Sequence, residues 1–180
     1  MAKTFELISD ELKAWVSAQP MFFVASAPID AAGLVNCSPK GLDSLRILGP
    51  KTVAYLDLTG SGAETAAHVR ENGRLVIMLC AFSGPPRIVR FHGTARAVFP
   101  GDSEWDEVSS AFSDTPGARA IFVLEAKRIS DSCGYAVPEM DYKGQRDTLI
   151  KWAERKGSDG IERYQNEKNA QSLDGLPAVP

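Results

Sequence analysis

The chain has 180 residues, of which 44% are hydrophobic and 24% charged, with a formal net charge of −3. These values are typical of a globular domain with a sizeable core. They give no indication of a nucleic-acid partner. No run approaches the roughly 18 apolar residues of a membrane span, and the acidic, amphipathic first segment does not resemble a signal peptide. We therefore expect a cytoplasmic protein without a membrane or nucleic-acid partner.

The three cysteines, Cys37, Cys80 and Cys133, are far apart and form no C-x-x-C pair. This spacing favours reduced thiols and argues against a disulfide framework. The two histidines, His68 and His92, have no carboxylate at ligand spacing, so no metal site is expected. His68 lies off the alanine stripe of its predicted helix and is expected at the surface.

Helices and strands follow in a mixed order. A helix is predicted over 5–17, where apolar residues recur at helical spacing before Pro20. Further helices are predicted from the 59–62 turn to about 71, over 102–112 and over 141–156. Six segments have strand-like composition: 21–27, 34–38, 52–58, 75–82, 87–99 and the run that begins at 118. The nearly apolar 75–82 segment is expected to be buried on both faces, and Gly93 is expected to form a bulge.

The strands follow one another in pairs joined by tight turns, and helices interrupt them only occasionally. This order favours a mainly β fold, an antiparallel barrel with peripheral helices, over a doubly wound sheet. We expect one domain over 1–157. The polar segment 158–180 is predicted to be a helix and tail that packs on the same domain or on a partner.

The segment from Asn36 to Gly41 ends a predicted strand and contains Ser38, Pro39 and Lys40. Pro39 excludes a regular central ladder. The Ser38 hydroxyl and the Lys40 ammonium are groups that bind phosphate. The alternative interpretation is a strand end with an exposed lysine.

The segment from Thr59 to Thr65 combines two glycines with three hydroxyl side chains at the start of a predicted helix. A helix start with free N–H groups attracts anions. Ser61 and Glu64 also have the spacing of a capping box, which is a purely structural alternative. The segment lacks the G-K-[ST] ending of a P-loop.

Two further segments contain candidate residues. In the strand after Pro85-Pro86, alternation places Arg90 on the face that could carry function. In the 132–138 loop, Cys133 has few cations nearby in sequence, which argues against a reactive thiol. Tyr135 either stacks on a ring or packs.

Taken in order, the sequence motifs resemble a subgroup of the pyridoxamine 5′-phosphate oxidase-related, FMN-binding proteins. The motifs are VNCSPKG, VAYLDLTGSGAETAAHVRENGR, MLCAFSGPPRIVRFHG, SCGYAVP and R-x-x-L-x-x-W, with SLDGLP in the tail. The resemblance covers roughly residues 20–177. It implies a six-stranded antiparallel split β-barrel that binds FMN between the two subunits of a homodimer.

The resemblance also implies cofactor-binding residues. For the flavin phosphate these are Asn36, Ser38, Lys40, Thr59, Ser61 and Thr65. Arg90 and Trp152 are candidates for contact with the ring. No catalytic residue is indicated.

The sequence departs from the true oxidase at two places. It has Ala63-Glu64-Thr65 where that enzyme carries an Arg-Lys pair, and it lacks the C-terminal R-x-R signature. The resemblance therefore implies an FMN-dependent oxidoreductase whose substrate is unknown. The alternatives are a flavin-binding protein without turnover, a split barrel that binds deazaflavin or haem, and pyridoxamine 5′-phosphate oxidase itself.

Overall fold

A computed structural model describes residues 3–180, which form one antiparallel sheet of eight strands with four helices. The strands are β1 Lys3–Phe5, β2 Phe22–Ser26, β3 Asn36–Lys40, β4 Leu45–Ile47, β5 Thr52–Leu58, β6 Arg74–Cys80, β7 Ile88–Val98 and β8 Ala118–Ser132. The helices are α1 Asp10–Ser17, α2 Glu64–Asn72, α3 Trp105–Ser109 and α4 Thr148–Lys168. Six of the strands correspond to the six predicted segments, and the short strands β1 and β4 are additions.

The sheet curls into a half-barrel. Its strand order is β3-β2-β6-β7-β8-β5-β4, with β1 paired to β8. Phe22 of β2 and Tyr55 of β5 are four strands apart in this order, yet their ring centroids are only 5.6 Å apart. Tyr55 also stacks on Phe122 of β8, at 5.0 Å between centroids. These rings fill the inside of the curl, so the predicted class, an antiparallel split barrel with peripheral helices, is confirmed.

Strand β6 shows how the core is built. Leu75, Ile77 and Leu79 alternate along it and are at most 2% exposed, whereas Val76 and Met78 on the other face are half-buried. The prediction that this strand is buried on both faces is wrong. In a curled antiparallel sheet only the inner face lies wholly within the core.

The helices differ most from the predictions. The first helix begins only at Asp10, because Ser9 caps it by accepting a hydrogen bond from the Leu12 N–H, and residues 3–5 form a strand instead. The last helix begins at Thr148 rather than 141. Gly157, with φ of 66°, is non-helical and divides α4 into two helical parts, so the predicted helix end at residue 156 is confirmed.

Two bulges interrupt the ladders of β8. The bulge predicted at Gly93 is confirmed, since the β7–β8 register shifts between His92 and Gly93. A Cβ at Gly93 would lie 2.0 Å from the Glu125 carbonyl oxygen, so only glycine fits there. In the second bulge, Asp57 pairs with Ala120 and Leu58 with Ala118, which leaves Arg119 as the extra residue.

The C-terminal residues fold back onto this same chain. Asn169 donates to the carbonyl oxygens of Gly60 and Ser61, at 3.0 and 3.3 Å. Arg70 of α2 donates to the Ala178 carbonyl at 2.6 Å. Within residues 3–180 no helix combines the length and apolarity required to cross a bilayer.

Candidate functional site

A cleft of about 950 Å³ lies between the end of β3, the turn after β5 and the first half of α4. Its lining includes three cations, Lys40, Arg146 and Arg155. It also includes three aromatic residues, Tyr142, Trp152 and Tyr164, and no aspartate or glutamate from the described chain. Such a lining suits a ligand that joins an anionic group to a planar, apolar body.

Four of the predicted site residues line this cleft: Lys40, Thr59, Ser61 and Trp152. They come from the end of β3, the turn after β5 and helix α4, which are separated by up to 112 positions in sequence. The curl of the sheet and the return of the C-terminal helix bring them together.

Trp152 and Tyr164 lie on either side of the Gly157 kink in α4. Their ring centroids are 5.0 Å apart with an interplanar angle of 79°, an edge-on contact. The Lys156 ammonium lies 5.7 Å from the Trp152 ring centroid and 5.5 Å from that of Tyr164. The kink thus folds two aromatic rings into one apolar corner of the cleft.

Lys40 is held by an ion pair. Its Nζ lies 2.7 Å from Oδ1 of Asp57, whose side chain is 2% exposed, while 24% of the Lys40 side chain stays exposed. The other oxygen of Asp57 accepts two hydrogen bonds from Arg119, from Nε at 2.9 Å and from Nη2 at 2.6 Å. One buried carboxylate therefore joins two cations.

Burial by itself raises the pKa of the Asp57 carboxyl. The charges of Lys40 and Arg119 and their hydrogen bonds outweigh burial and hold that pKa below its usual value. Asp57 is accordingly ionised at neutral pH. Lys40 has three N–H donors, of which the pair with Asp57 uses one. The other two make no hydrogen bond to a residue within 3–180.

The bulge in β8 explains how Arg119 reaches Asp57. A bulge changes the direction in which side chains point, often next to functional sites. Arg119 is the unpaired extra residue opposite the Asp57–Leu58 step. Its side chain is 5% exposed, and its Nη1 has no acceptor among the residues that the structure describes.

Asn36, Ser38 and Thr65 lie close together but do not line the cleft. The Asn36 amide donates to Thr65 Oγ1 at 3.0 Å, and Ser38 donates to the Asn36 amide oxygen at 3.1 Å. The network continues from Asn36 through Ser26 Oγ, at 3.5 Å, to His68 Nδ1, which is 2.9 Å from that oxygen. These side chains bond to one another, and none of them lines the cleft.

His68 is completely buried, so the expectation of a surface residue is wrong. The face of α2 that carries it packs on β2, where Ser26 provides a polar partner. Burial lowers the pKa of His68, and the negative charges of Asp174, Glu64 and Glu71 offset this only in part.

The capping box predicted for Ser61 and Glu64 is also wrong. Helix α2 starts at Glu64, its N-cap is Ala63, and no side chain caps it. Ser61 therefore lies two residues before the cap, too early to bond the first-turn amides. Its side chain stays exposed at the cleft.

Helix α4 holds the turn that carries Thr59 and Ser61. The Thr59 hydroxyl donates to the Gly117 carbonyl at 2.9 Å and accepts from the Gln165 amide at 2.7 Å. Thr59 is 1% exposed, so its hydroxyl is fully engaged in shaping the turn. Of the three hydroxyls predicted in this segment, Ser61 is the exposed one.

Arg90 lies away from the cleft. It sits on the half-buried outer face of β7, opposite Met78 of β6 and Ser130 of β8, and donates to Ser132 Oγ at 3.1 Å. The structure therefore does not bring Arg90 together with Lys40 or Trp152 in this cleft.

Sequence reasoning missed Asp57, Arg119, Arg155 and Tyr164. Asp57 offered a signal, since a carboxylate at an inward position of an apolar strand requires a buried cation. Arg119 stands between two alanines at the start of an apolar strand and offered the complementary signal. Arg155 and Tyr164 lie on the two helical parts of α4, and no sequence pattern indicated that both parts border one cleft.

The curled sheet and its cleft define a split-barrel protein. The model of the pyridoxamine 5′-phosphate oxidase family matches residues 8–133. The Aspergillus flavus pyridoxamine 5′-phosphate oxidase family protein ustO is 38% identical over 197 residues, covering 97% of this chain and 77% of that protein. The chain belongs to the pyridoxamine 5′-phosphate oxidase family.

Solved structures share the fold. HupZ from Group A Streptococcus aligns with a TM-score of 0.53 and 25% identity, over 68% of this chain and 91% of that one. The FAD binding protein from Mycobacterium smegmatis aligns with a TM-score of 0.50 and 12% identity, over 71% of this chain and 97% of that one. At 12% identity, the second likeness concerns the fold alone.

Proposed function

We propose that the protein is an FMN-binding oxidoreductase that holds the cofactor in the Lys40–Trp152 cleft, at the interface of a homodimer. The observation that carries the proposal is the lining of the cleft, which has three cations, three aromatic residues and, within residues 3–180, no carboxylate. A phosphorylated flavin combines an anionic end with a planar ring, so it matches both parts of this lining. Family membership supports the same ligand class.

The phosphate group would bind near Lys40 and Ser61. Lys40 offers donors beyond the one that it gives Asp57, and the exposed Ser61 hydroxyl adds another. The start of α2 itself is a poor phosphate site in this chain. The Glu64 carboxylate folds back over Gly62, where a Cβ would lie 2.5 Å from Oε2, and its charge repels an anion.

Asn36, Ser38 and Thr65 would act on the phosphate only indirectly. Their hydrogen bonds to one another fix the inner face of β3, on which Lys40 also lies. In this proposal they orient the strand that presents Lys40.

The ring system would lie against the aromatic corner formed by Trp152 and Tyr164, with Leu56, Leu58 and Leu149 as an apolar wall. When bound, FMN supplies the redox chemistry, and the protein supplies binding, orientation and electrostatics. No side chain is assigned as a catalytic acid or base.

A second copy would complete the site. Six of the nine large exposed apolar side chains within residues 3–180 form two groups: Ile29, Leu34 and Val35 near the β2–β3 turn, and Tyr135, Met140 and Tyr142 in the loop before α4. Val35 is 76% exposed and Tyr135 is 83% exposed. Clustered exposed apolar residues are typical of interaction surfaces. Arg90, which lies away from the cleft of its own subunit, would contact the ring of the partner's cofactor.

The proposal is tested by titrating FMN into the purified protein and following the quenching of flavin fluorescence. Arg155→Gln removes a cation of the cleft, and Arg163→Gln serves as a control on an exposed part of the same helix, outside the lining. We expect saturable binding that Arg155→Gln weakens and Arg163→Gln leaves unchanged. Equal effects of the two substitutions, or no binding by the unmodified protein, would contradict the proposal. Sedimentation at several protein concentrations tests the homodimer.

A further inference from the structure

The cluster of Lys40, Asp57 and Arg119 has an unbalanced charge. Two cations share one carboxylate, which leaves one excess positive charge. The side chains of Asp57 and Arg119 are 2% and 5% exposed, so most of this cluster is shielded from water. An excess charge is costly in such surroundings unless an opposite charge comes near.

Two observations show which parts of the cluster could interact with a negative charge. Nη1 of Arg119 is buried and has no acceptor within residues 3–180. Lys40 is the member of the cluster that lines the cleft, and 24% of its side chain is exposed there. An anion in the cleft can therefore contact the cluster only at Lys40. Arg119 does not line the cleft and would attract the anion through its charge alone.

Other charged groups near the cluster do not balance it. The cleft lining has no carboxylate from the described chain and adds two more cations, Arg146 and Arg155. Tyr55, whose ring centroid is 5.9 Å from Lys40 Nζ, stays neutral because burial raises the pKa of its hydroxyl. The field of the excess charge thus extends into the cleft.

The position of Arg119 is built into the fold. It occupies the extra position of the β5–β8 bulge, and two hydrogen bonds to Asp57 fix its guanidinium group. A bulge that turns a charged side chain into a buried position is a specific feature of a fold and not an accident of packing.

We propose that this cluster makes the cleft select an anionic ligand over a neutral ligand of the same shape, and that Arg119 determines this specificity without touching the ligand. For a flavin, the selected form is the phosphorylated one, FMN over riboflavin, and this part rests on the proposed function. Asp57 reduces the preference for an anionic ligand, since it neutralises one of the two cations.

The test varies the charge of the cluster in the full-length protein. Arg119→Gln lowers the cluster charge to zero, Arg119→Lys keeps it at plus one, and Asp57→Asn raises it to plus two. In the double variant Asp57→Asn/Arg119→Gln the cluster charge is again plus one, because Lys40 is charged and residues 57 and 119 are both neutral. For each variant, dissociation constants are measured for FMN and for riboflavin, which has the same ring without phosphate.

We expect Arg119→Gln to reduce the preference for FMN over riboflavin about fivefold. This is the size expected for one unit charge that acts on the phosphate at intermediate distance through a medium of intermediate dielectric constant. Arg119→Lys and the double variant should keep the preference of the unmodified protein, and Asp57→Asn should increase it. A merely structural role of Arg119 predicts equal losses for FMN and riboflavin, and this result would overturn the inference. If Arg119→Gln does not fold, the inference is tested with Asp57→Asn alone. An unchanged or smaller preference for FMN in that variant would overturn the inference.

A probe without flavin separates this inference from the proposed function. If the unmodified protein binds neither flavin, the proposed function fails. The cluster is then tested with inorganic phosphate, by its effect on the melting temperature. A larger increase for the unmodified protein than for Arg119→Gln supports the anion-selective cluster, and equal increases refute it.

Discussion

The ammonium group of Lys40 lies 2.7 Å from the carboxylate of Asp57, across the open side of the curled sheet. Lys40 ends β3, the first strand in the sheet order, and Asp57 belongs to β5, next to the opposite edge. The ion pair therefore joins two strands that are not neighbours in the sheet. It also fixes the cation that we assign to the cofactor phosphate.

Replacing Lys40 tests that assignment. Lys40→Gln should weaken FMN binding by about 1.5–3 kcal/mol, the usual contribution of a hydrogen bond to a charged group. Riboflavin binding should change much less, because riboflavin lacks the phosphate. Fluorescence titration of both flavins measures the two effects. Unchanged affinity for FMN would show that the phosphate binds elsewhere, with Arg146 and Arg155 as the remaining cations of the lining.

Asp57 should contribute to stability in a pH-dependent manner. Asp57→Asn leaves Arg119 without its buried counter-charge, and the expected cost at neutral pH is about 3–5 kcal/mol. Because the pKa of Asp57 is lowered in the folded state, its contribution is present above the unfolded pKa of about 3.9. It is lost as the pH falls through the folded pKa.

Urea unfolding at pH 7 and at a series of acidic pH values measures this effect. The difference in unfolding free energy between the unmodified protein and Asp57→Asn should shrink as the pH falls below about 4. Asp43→Asn, which alters an exposed pair with Arg46, is the control and should have little effect. A constant difference down to the lowest pH would contradict a lowered pKa at Asp57.

His68 should destabilise the fold in mild acid. Burial lowers its folded-state pKa, so the unfolded chain binds a proton more readily once the pH falls below about 6.5. Stability should therefore decrease between that pH and the folded pKa. His68→Gln, which keeps a polar group near Ser26, should remove part of this decrease. The same slope in both proteins between pH 7 and pH 5 would argue against a neutral, buried His68.

Gly93 should tolerate no larger residue. Gly93→Ala places a methyl group against the Glu125 carbonyl oxygen, and we expect a loss of about 1–3 kcal/mol from the strain. Gly60→Ala is the matched control, since the nearest atom to a Cβ there is the Leu58 carbonyl oxygen at 4.0 Å. Thermal unfolding of the two variants gives the comparison. Similar melting temperatures for both would show that the bulge relaxes.

The sequence predicted what depends on local patterns. Strand β5 has the predicted bounds because its apolar, β-branched run is bordered by turn residues. The bulge at Gly93 was predicted from a glycine inside a strand pattern. The N-cap of α2 was predicted wrongly because Ala63, which has no capping side chain, takes that position.

Contacts between distant segments were not predictable in the same way. Ser26 and His68 are 42 positions apart, and Asp57 and Arg119 are 62 apart. No local pattern indicates which buried charge finds which partner. The bulge that turns Arg119 inward depends on the register of β5 and β8, which is set by the whole sheet.

Identifying the bound cofactor is the most direct test of FMN binding in the Lys40–Trp152 cleft. The protein is purified without added flavin and dialysed, its visible absorption spectrum is recorded, and the ligand released on denaturation is identified by mass spectrometry. We expect flavin absorption bands that survive dialysis, or that appear on reconstitution, and FMN as the ligand that fills the site. A colourless protein that fails to bind added FMN, or a released ligand that is not a flavin, would contradict it.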